Sequence, residues 1–360
     1  EPYMVQGSLS PLRARGSSEP EAIKGEGNNY GQEKRMNVRI GIPRALLYYR
    51  YFPFWKTFFE TLGFEVVVSR PSHRGLIERG FKFADDDTCI PMKMAFAHTI
   101  DIKDRIDLLF LPRLLSMDGK TCSCPRLAGL PEMLKYSISG LPPILDPYVD
   151  ERHRNSSLFH SFSEMALALG KSPKEIKQAF QKAESAYELI QKRMEGGERL
   201  PDLFEDVRKK NHASQGDLSG KKIGVVGHAY CLYDPFFNFD LLRILEETHA
   251  SLYTQERVPK EVIDSEIREF GKDIYWDSGR EILGASLHFL RSNEVEGLIY
   301  LTCFSCGVDS MIEPLIRHRA AENGKTLYLC LMIDEHTGAT GVLTRMEAFI
   351  DLLERRRKRR

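Results

Sequence analysis

No stretch of this 360-residue chain approaches the ~18 consecutive apolar residues that a membrane-spanning helix requires, so a transmembrane role is not expected. Net charge is lacking too. The 51 basic residues are matched by 51 acidic ones, so no overall field recruits nucleic acid or an anionic membrane surface. The first residues show no apolar core of a signal peptide, and the expected location is cytoplasmic. Four signatures are also missing: GxxxxGK(S/T), a GxGxxG after a strand, HExxH and GxSxG. Nucleotide hydrolysis, dinucleotide binding, zincin chemistry and serine-hydrolase chemistry are therefore not expected of this chain. If ATP matters to its function, another protein uses it.

An apolar fraction of 42% and a charged fraction of 28% describe an ordinary globular protein, and the length suits two domains. Seven cysteines, an odd number that includes a CxC and a CxxC pair, fit a reducing compartment better than a disulfide framework. Residues 1–35 are rich in Gly, Ser, Glu and Arg without periodicity and read as disordered. The six basic residues 355–360 read as a solvated helix end whose cations suit the helix dipole. No aromatic stacking platform accompanies them, so nucleic acid is not the expected partner.

Between these ends, apolar runs alternate with helical periodicity. Strands are expected at 37–42, 64–68 and 106–111, and again at 221–226, 297–302 and 326–333, with helices between them. Such alternation implies parallel pairing, hence an α/β protein with two Rossmann-like parallel-sheet domains at 36–150 and 220–354. A helical connector at 151–219 would join them. Its long helix opens at the capping box Ser172–Glu175 and ends at Gly196-Gly197. Thr344–Glu347 reads as a second capping box, opening the final helix. The two halves look like variations on one plan, a buried strand followed by a thiol-bearing loop.

Six of the seven cysteines fall where a strand should end: Cys89, Cys122, Cys124, Cys231, Cys303 and Cys306. Ligands of open α/β sheets bind beyond the carboxyl ends of the strands. Thiols gathered there suggest an iron–sulfur cluster or a soft metal in the cleft between the domains. A zinc site with four thiolates and incidental or redox thiols remain as alternatives. Cys89 follows Asp85, Asp86 and Asp87 and sits just ahead of a helix start, where a thiolate is favoured. Cys231 fits packing nearly as well as ligation, and Cys330, inside an apolar run, reads as core filling. Asp334, Glu335, His336 and Thr337 end the last strand; they form either a turn or a polar cluster that holds substrate or hydrogen-bonds around the site. His98 and His228 read as structural.

Several blocks resemble one known family: Ile40–Tyr49, Asp87–Ala95, Cys124-Pro125, Gly227–Tyr230, Phe304–Ser310 and Asp334–Asp351. They resemble the activase-associated relatives of the 2-hydroxyacyl-CoA dehydratases, which are similar to the double-cubane cluster proteins. The resemblance implies two Rossmann-like domains around an oxygen-sensitive iron–sulfur cluster, most simply 4Fe–4S, with a separate ATP-hydrolysing iron–sulfur activase injecting low-potential electrons. In the dehydratases that electron reduces an acyl-CoA thioester to a ketyl radical. Carried over motif by motif, Cys89, Cys124 and Cys306 are the expected metal ligands, with Cys122, Cys231 and Cys303 as a second tier. All six together would suit a double cubane. The resemblance further implies an acyl-CoA or other small-molecule substrate, no nucleotide on this chain, and a homodimer or heterodimer. The alternatives are a non-catalytic cluster-bearing accessory or electron relay, and a zinc-stabilised binding protein.

Overall fold

Short β-branched and leucine-rich runs, each followed by a turn and a helix, build two parallel sheets. The computed structural model describes residues 38–198 and 220–359. In chain order the strands are β1 (Arg39–Ile42), β2 (Glu65–Val68), β3 (Leu108–Phe110), β4 (Arg113–Ser116), β5 (Ile144–Leu145), β6 (Tyr148–Asp150), β7 (Lys222–Gly227), β8 (Ser251–Thr254), β9 (Gly297–Cys303) and β10 (Leu327–Ile333). The first sheet runs β2-β1-β3-β5, the second β8-β7-β9-β10, and β4 pairs with β6 apart from both. All these pairings are parallel. The expected α/β class with two Rossmann-like sheets is what the chain forms.

The two sheets share one plan. In each, the chain leaves a central strand (β1 or β7), adds a neighbour on one side (β2 or β8), and returns to the other side (β3 or β9). That reversal creates a switch point, the usual ligand crevice of an open α/β sheet. The crevice of the second sheet lies between the ends of β7 and β9, which carry His228 and Cys303.

The helix Tyr48–Thr61 buries Tyr48, Tyr49, Tyr51, Phe52, Phe54, Trp55, Phe58 and Phe59. A helix apolar on so many sides must be covered all round. It packs on Phe110 of β3 through Trp55 and Phe59, and on the helices Leu158–Ala168 and Pro173–Glu195 through Phe54 and Phe58. Tyr51 stacks on Tyr187 at 5.6 Å. The expected capping box is present, with Ser172 and Glu175 satisfying each other's backbone donors. One apolar cluster continues from Ile40 and Phe58 through Cys231 and Leu232 to Ile299 and Ile333, so both sheets border a shared core. The described residues accordingly form one compact unit.

One close approach and one polar chain shape this unit. A Cβ on Gly80 would lie 2.1 Å from Ala97 Cα, so the helices Arg74–Phe81 and Ile90–Ile102 touch backbone to backbone there. A polar chain then ties the halves together. Asp234 accepts from Tyr49 Oη at 3.0 Å and from Ser72 Oγ. His98 bridges Ser72 at 2.9 Å and Ser69 at 2.8 Å, which makes it the structural histidine expected.

The differences from expectation have local causes. β4, β5, β6 and β8 were not anticipated: they span two to four residues, and proline flanks β5 and β6. The Thr344–Glu347 box does not open the final helix, which begins at Ala339. Thr344 Oγ1 instead donates to the Thr340 carbonyl at 3.0 Å, a back-bond available inside a helix. That helix continues through the basic run to Arg359, with Arg357 paired to Glu296 at 2.7 Å and donating to the Gly220 carbonyl at 2.8 Å. The expected disordered segment 1–35, residues 199–219 of the expected connector, and residue 360 lie outside the described residues. No described helix is long and apolar enough to cross a membrane.

Candidate metal centre

Three of the cysteines hold the same local position, the residue immediately before a helix. Cys89 caps Ile90–Ile102, Cys124 caps the single turn Pro125–Ala128, and Cys306 caps Gly307–Asn323. Proline in the first turn sets two of these starts, since its missing N–H is an orphan there anyway. All three are half-buried, whereas Cys122, Cys231 and Cys303 are buried; all seven cysteines are free.

The Cys303–Cys306 loop is a tight turn. The Cys306 N–H donates to the Cys303 carbonyl at 3.2 Å, Ser305 takes a left-handed φ of 64°, and Phe304 projects outward at 58% exposure. Cys122 reaches the second half through its backbone. Cys122 N donates to the Tyr275 carbonyl at 2.9 Å, and Asp277 N donates to the Cys122 carbonyl at 3.0 Å.

Four thiols from both halves, those of Cys89, Cys231, Cys303 and Cys306, border one apolar cluster. Burial raises the Cys89 thiol above its ordinary range, and Cys306 pushes the same way, while the Met92 N–H and Arg126 partly offset them. Burial drives Cys303 far up, with Cys89, Cys306 and Asp309 adding to it. Cys231 is raised well above its usual value by burial and then by Cys303, Asp309, Cys306 and Cys89. Thiols so placed resist ionising together unless a cation joins them. The donor set of Cys89, Cys231, Cys303 and Cys306 therefore fits a thiophilic metal or an iron–sulfur cluster.

Cys124 opens onto an adjoining cavity of ≈ 90 Å³, whose lining includes Arg50, His228, Tyr230, Asp277 and Glu281. Arg50 pairs there with Glu281 at 2.5 Å. Cys122 is engaged elsewhere: its sulfur accepts from Arg152 Nη1 at 3.2 Å, and Tyr275 bonds to it as well. Cys330 lies apart on the edge strand β10, half-buried rather than core filling, 3.9 Å from Thr302 Oγ1. Burial and Glu313 raise its thiol to about 11.

The Asp334–Thr337 cluster divides. Asp334 Oδ1 accepts from the His336 N–H at 2.9 Å and Thr337 Oγ1 at 2.7 Å, which makes a closed turn. Glu335 reaches across to Lys93, a buried lysine on the Cys89 helix. It thereby joins the last strand of the second half to the helix that begins at Cys89.

His228 corrects the sequence reading. It is not an isolated structural histidine but lies beside Cys306. Its Nε2 is 3.5 Å from the Cys306 sulfur and 3.1 Å from Asp309 Oδ1, and the three groups together could hold a metal ion. Burial alone would lower the imidazole, yet the charge of Asp309 and its hydrogen bond raise it well above the ordinary value. Burial would likewise raise Asp309, but His228, Tyr300 and the Cys303 N–H hold it below the usual carboxylate range. Asp309 was missed altogether. The available signal was its place in the first turn of the helix that Cys306 caps.

The family described as CoA enzyme activase uncharacterised domain (DUF2229) matches residues 39–258, more than half of the chain. The chain belongs to this family. The matched region carries Cys89, Cys122, Cys124, His228 and Cys231 and stops short of Cys303 and Cys306. The family's description ties it to a CoA enzyme activase, and at that level the expected activase association holds. No curated protein matches the chain. Among solved structures, a glutamate racemase isoform from Bacillus anthracis aligns at 10% identity over 82% of this chain and 76% of its own, with a TM-score of 0.19, too low to carry any argument.

Proposed function

We propose that this member of the CoA enzyme activase uncharacterised domain family holds an iron–sulfur cluster, receives low-potential electrons from an ATP-hydrolysing activase, and uses them in a reductive reaction such as 2-hydroxyacyl-CoA dehydration. The observation that carries this reading is the gathering of Cys89, Cys231, Cys303 and Cys306, from both halves, around one apolar cluster. Cys89 and Cys306, half-buried at the starts of long helices, are the best-placed ligands, and Cys124 faces the adjoining cavity. When bound, the cluster would supply one-electron chemistry.

The chain's own residues provide the surroundings. Asp309 fixes the His228 ring, Lys93 and Glu335 pin the Cys89 helix to β10, and the shared apolar core keeps bulk water from Cys231 and Cys303. The cavity beside Cys124 offers Arg50, Tyr51, Asp277 and Glu281 to a small polar group. Family membership supports the activase as partner.

The test is electron delivery. Anaerobically reconstituted protein is mixed with the activase and dithionite, and its visible absorption is followed. Bleaching that begins only on ATP addition is the expected result. Absorption that does not respond to activase and ATP contradicts the reading and leaves an accessory role. A second reading, a mononuclear zinc site, is favoured by one observation: the His228, Cys306 and Asp309 donor atoms all lie within 4.8 Å of one another.

A further inference from the structure

The end of β7 is drawn tightly against β9. A Cβ on Gly227 would sit 2.5 Å from the Leu301 carbonyl oxygen, so only glycine lets the chain pass there and deliver His228 to the crevice. The imidazole is then held from three directions. Tyr230 stacks on it with ring centroids 4.9 Å apart and planes 9° from parallel. Asp309 Oδ1 lies 3.1 Å from Nε2. Asp309 is itself fixed, Oδ1 accepting from Tyr300 Oη at 2.7 Å and Oδ2 from the Cys303 N–H at 3.0 Å. The Cys306 sulfur is 3.5 Å from the same Nε2.

That shared nitrogen determines the chemistry. In a nucleophilic Cys–His pair the ring nitrogen facing sulfur must be free to accept a proton, while the other nitrogen donates to the orienting carboxylate. Here one nitrogen faces both acceptors, so it carries the hydrogen and cannot serve as the base for Cys306. What it can do is donate towards sulfur.

We propose that His228, its ring held by Tyr230, shares its Nε2–H between Asp309 and the Cys306 sulfur and thereby raises the reduction potential of the group that Cys306 binds; this rests on the iron–sulfur reading above. The bond strengthens as electron density on sulfur increases, so it favours the reduced form. One electron enters from the reductant, and no proton or covalent bond is exchanged with His228, which acts as a positioned donor and not as a ligand.

The experiment is a potentiometric titration of the anaerobic full-length protein with dithionite and redox mediators, with iron, sulfide and zinc measured on each sample. His228→Phe keeps a ring for Tyr230 to stack on but has no N–H. It is expected to retain wild-type iron and to lower the reduced-to-oxidised ratio at a fixed potential about tenfold, which is about 59 mV for a one-electron couple. His228→Gln, with an amide N–H, should fall between this variant and wild type. If H228F does not fold, His228→Asn, whose amide is too short to reach sulfur, carries the same expectation. Wild-type iron with an unchanged midpoint in H228F or H228N overturns the inference and leaves the cluster reading intact. Zinc in the wild type that disappears from the His228 variants overturns both, because His228 would then be a ligand.

Discussion

Serine at Cys89 or Cys306 is expected to remove nearly all bound iron, while serine at Cys122 or Cys330 leaves it in place. Both critical residues cap long helices, and both are half-buried, so a bound group can reach them. Both also pack against the same apolar cluster, which spans the two halves. A hydroxyl is a poor substitute for a thiolate on iron. Since altering even outer partners of metal ligands costs about 10–100-fold in affinity, loss of either thiolate should cost the site at least that much iron affinity. Cys122 is occupied by Arg152 and Tyr275, and Cys330 lies on the far edge of the second sheet. Iron and sulfide analysis of the four variants after identical anaerobic reconstitution checks this. Equal iron loss in C122S and C306S would contradict the assignment.

Asp309→Ala is expected to be the most destabilising single change near the site. Asp309 is almost fully buried and accepts from Tyr300 Oη and the Cys303 N–H while facing His228. Alanine would strand a hydroxyl, a backbone donor and an imidazole in the interior at once. Breaking a buried charged pair by removing one partner costs about 3–5 kcal/mol. Asp309→Asn keeps one acceptor oxygen and should lose less. Urea unfolding of the metal-free proteins measures both, so the result does not depend on cofactor content. A D309A variant within about 0.5 kcal/mol of wild type, the usual range of surface changes, would show that these contacts contribute nothing net.

What could be read from the sequence follows its local physics. Val66–Val68 and Leu298–Leu301 announce strands, the second of them fully buried, and Ser172 with Glu175 announces a helix start, because the determining residues are neighbours in the chain. Cys303 ends β9 and Cys231 follows β7 as that pattern suggests, whereas Cys89 follows the helix Arg74–Phe81 and not a strand. The role of His228 could not be read in this way, because its partner sulfur is 78 positions away and nothing beside it in sequence shows that contact. Thr344 misled because Thr-x-x-Glu has the same spelling inside a helix as at its start. The short strands β5 and β8 form through pairing with β3 and β7, not through their own pattern. The bonds of Cys122 to Arg152 and Tyr275 separate it from its sequence neighbour Cys124, a distinction that CxC spacing does not contain.

The most direct measurement is iron, acid-labile sulfide and zinc per chain on anaerobically purified protein. About four irons with matching sulfide are expected, as for a single cubane. About eight would require six thiolates and would draw Cys122 away from Arg152. No iron after anaerobic reconstitution, with about one zinc per chain instead, would contradict the electron-transfer function and leave the His228–Cys306–Asp309 group as a zinc site.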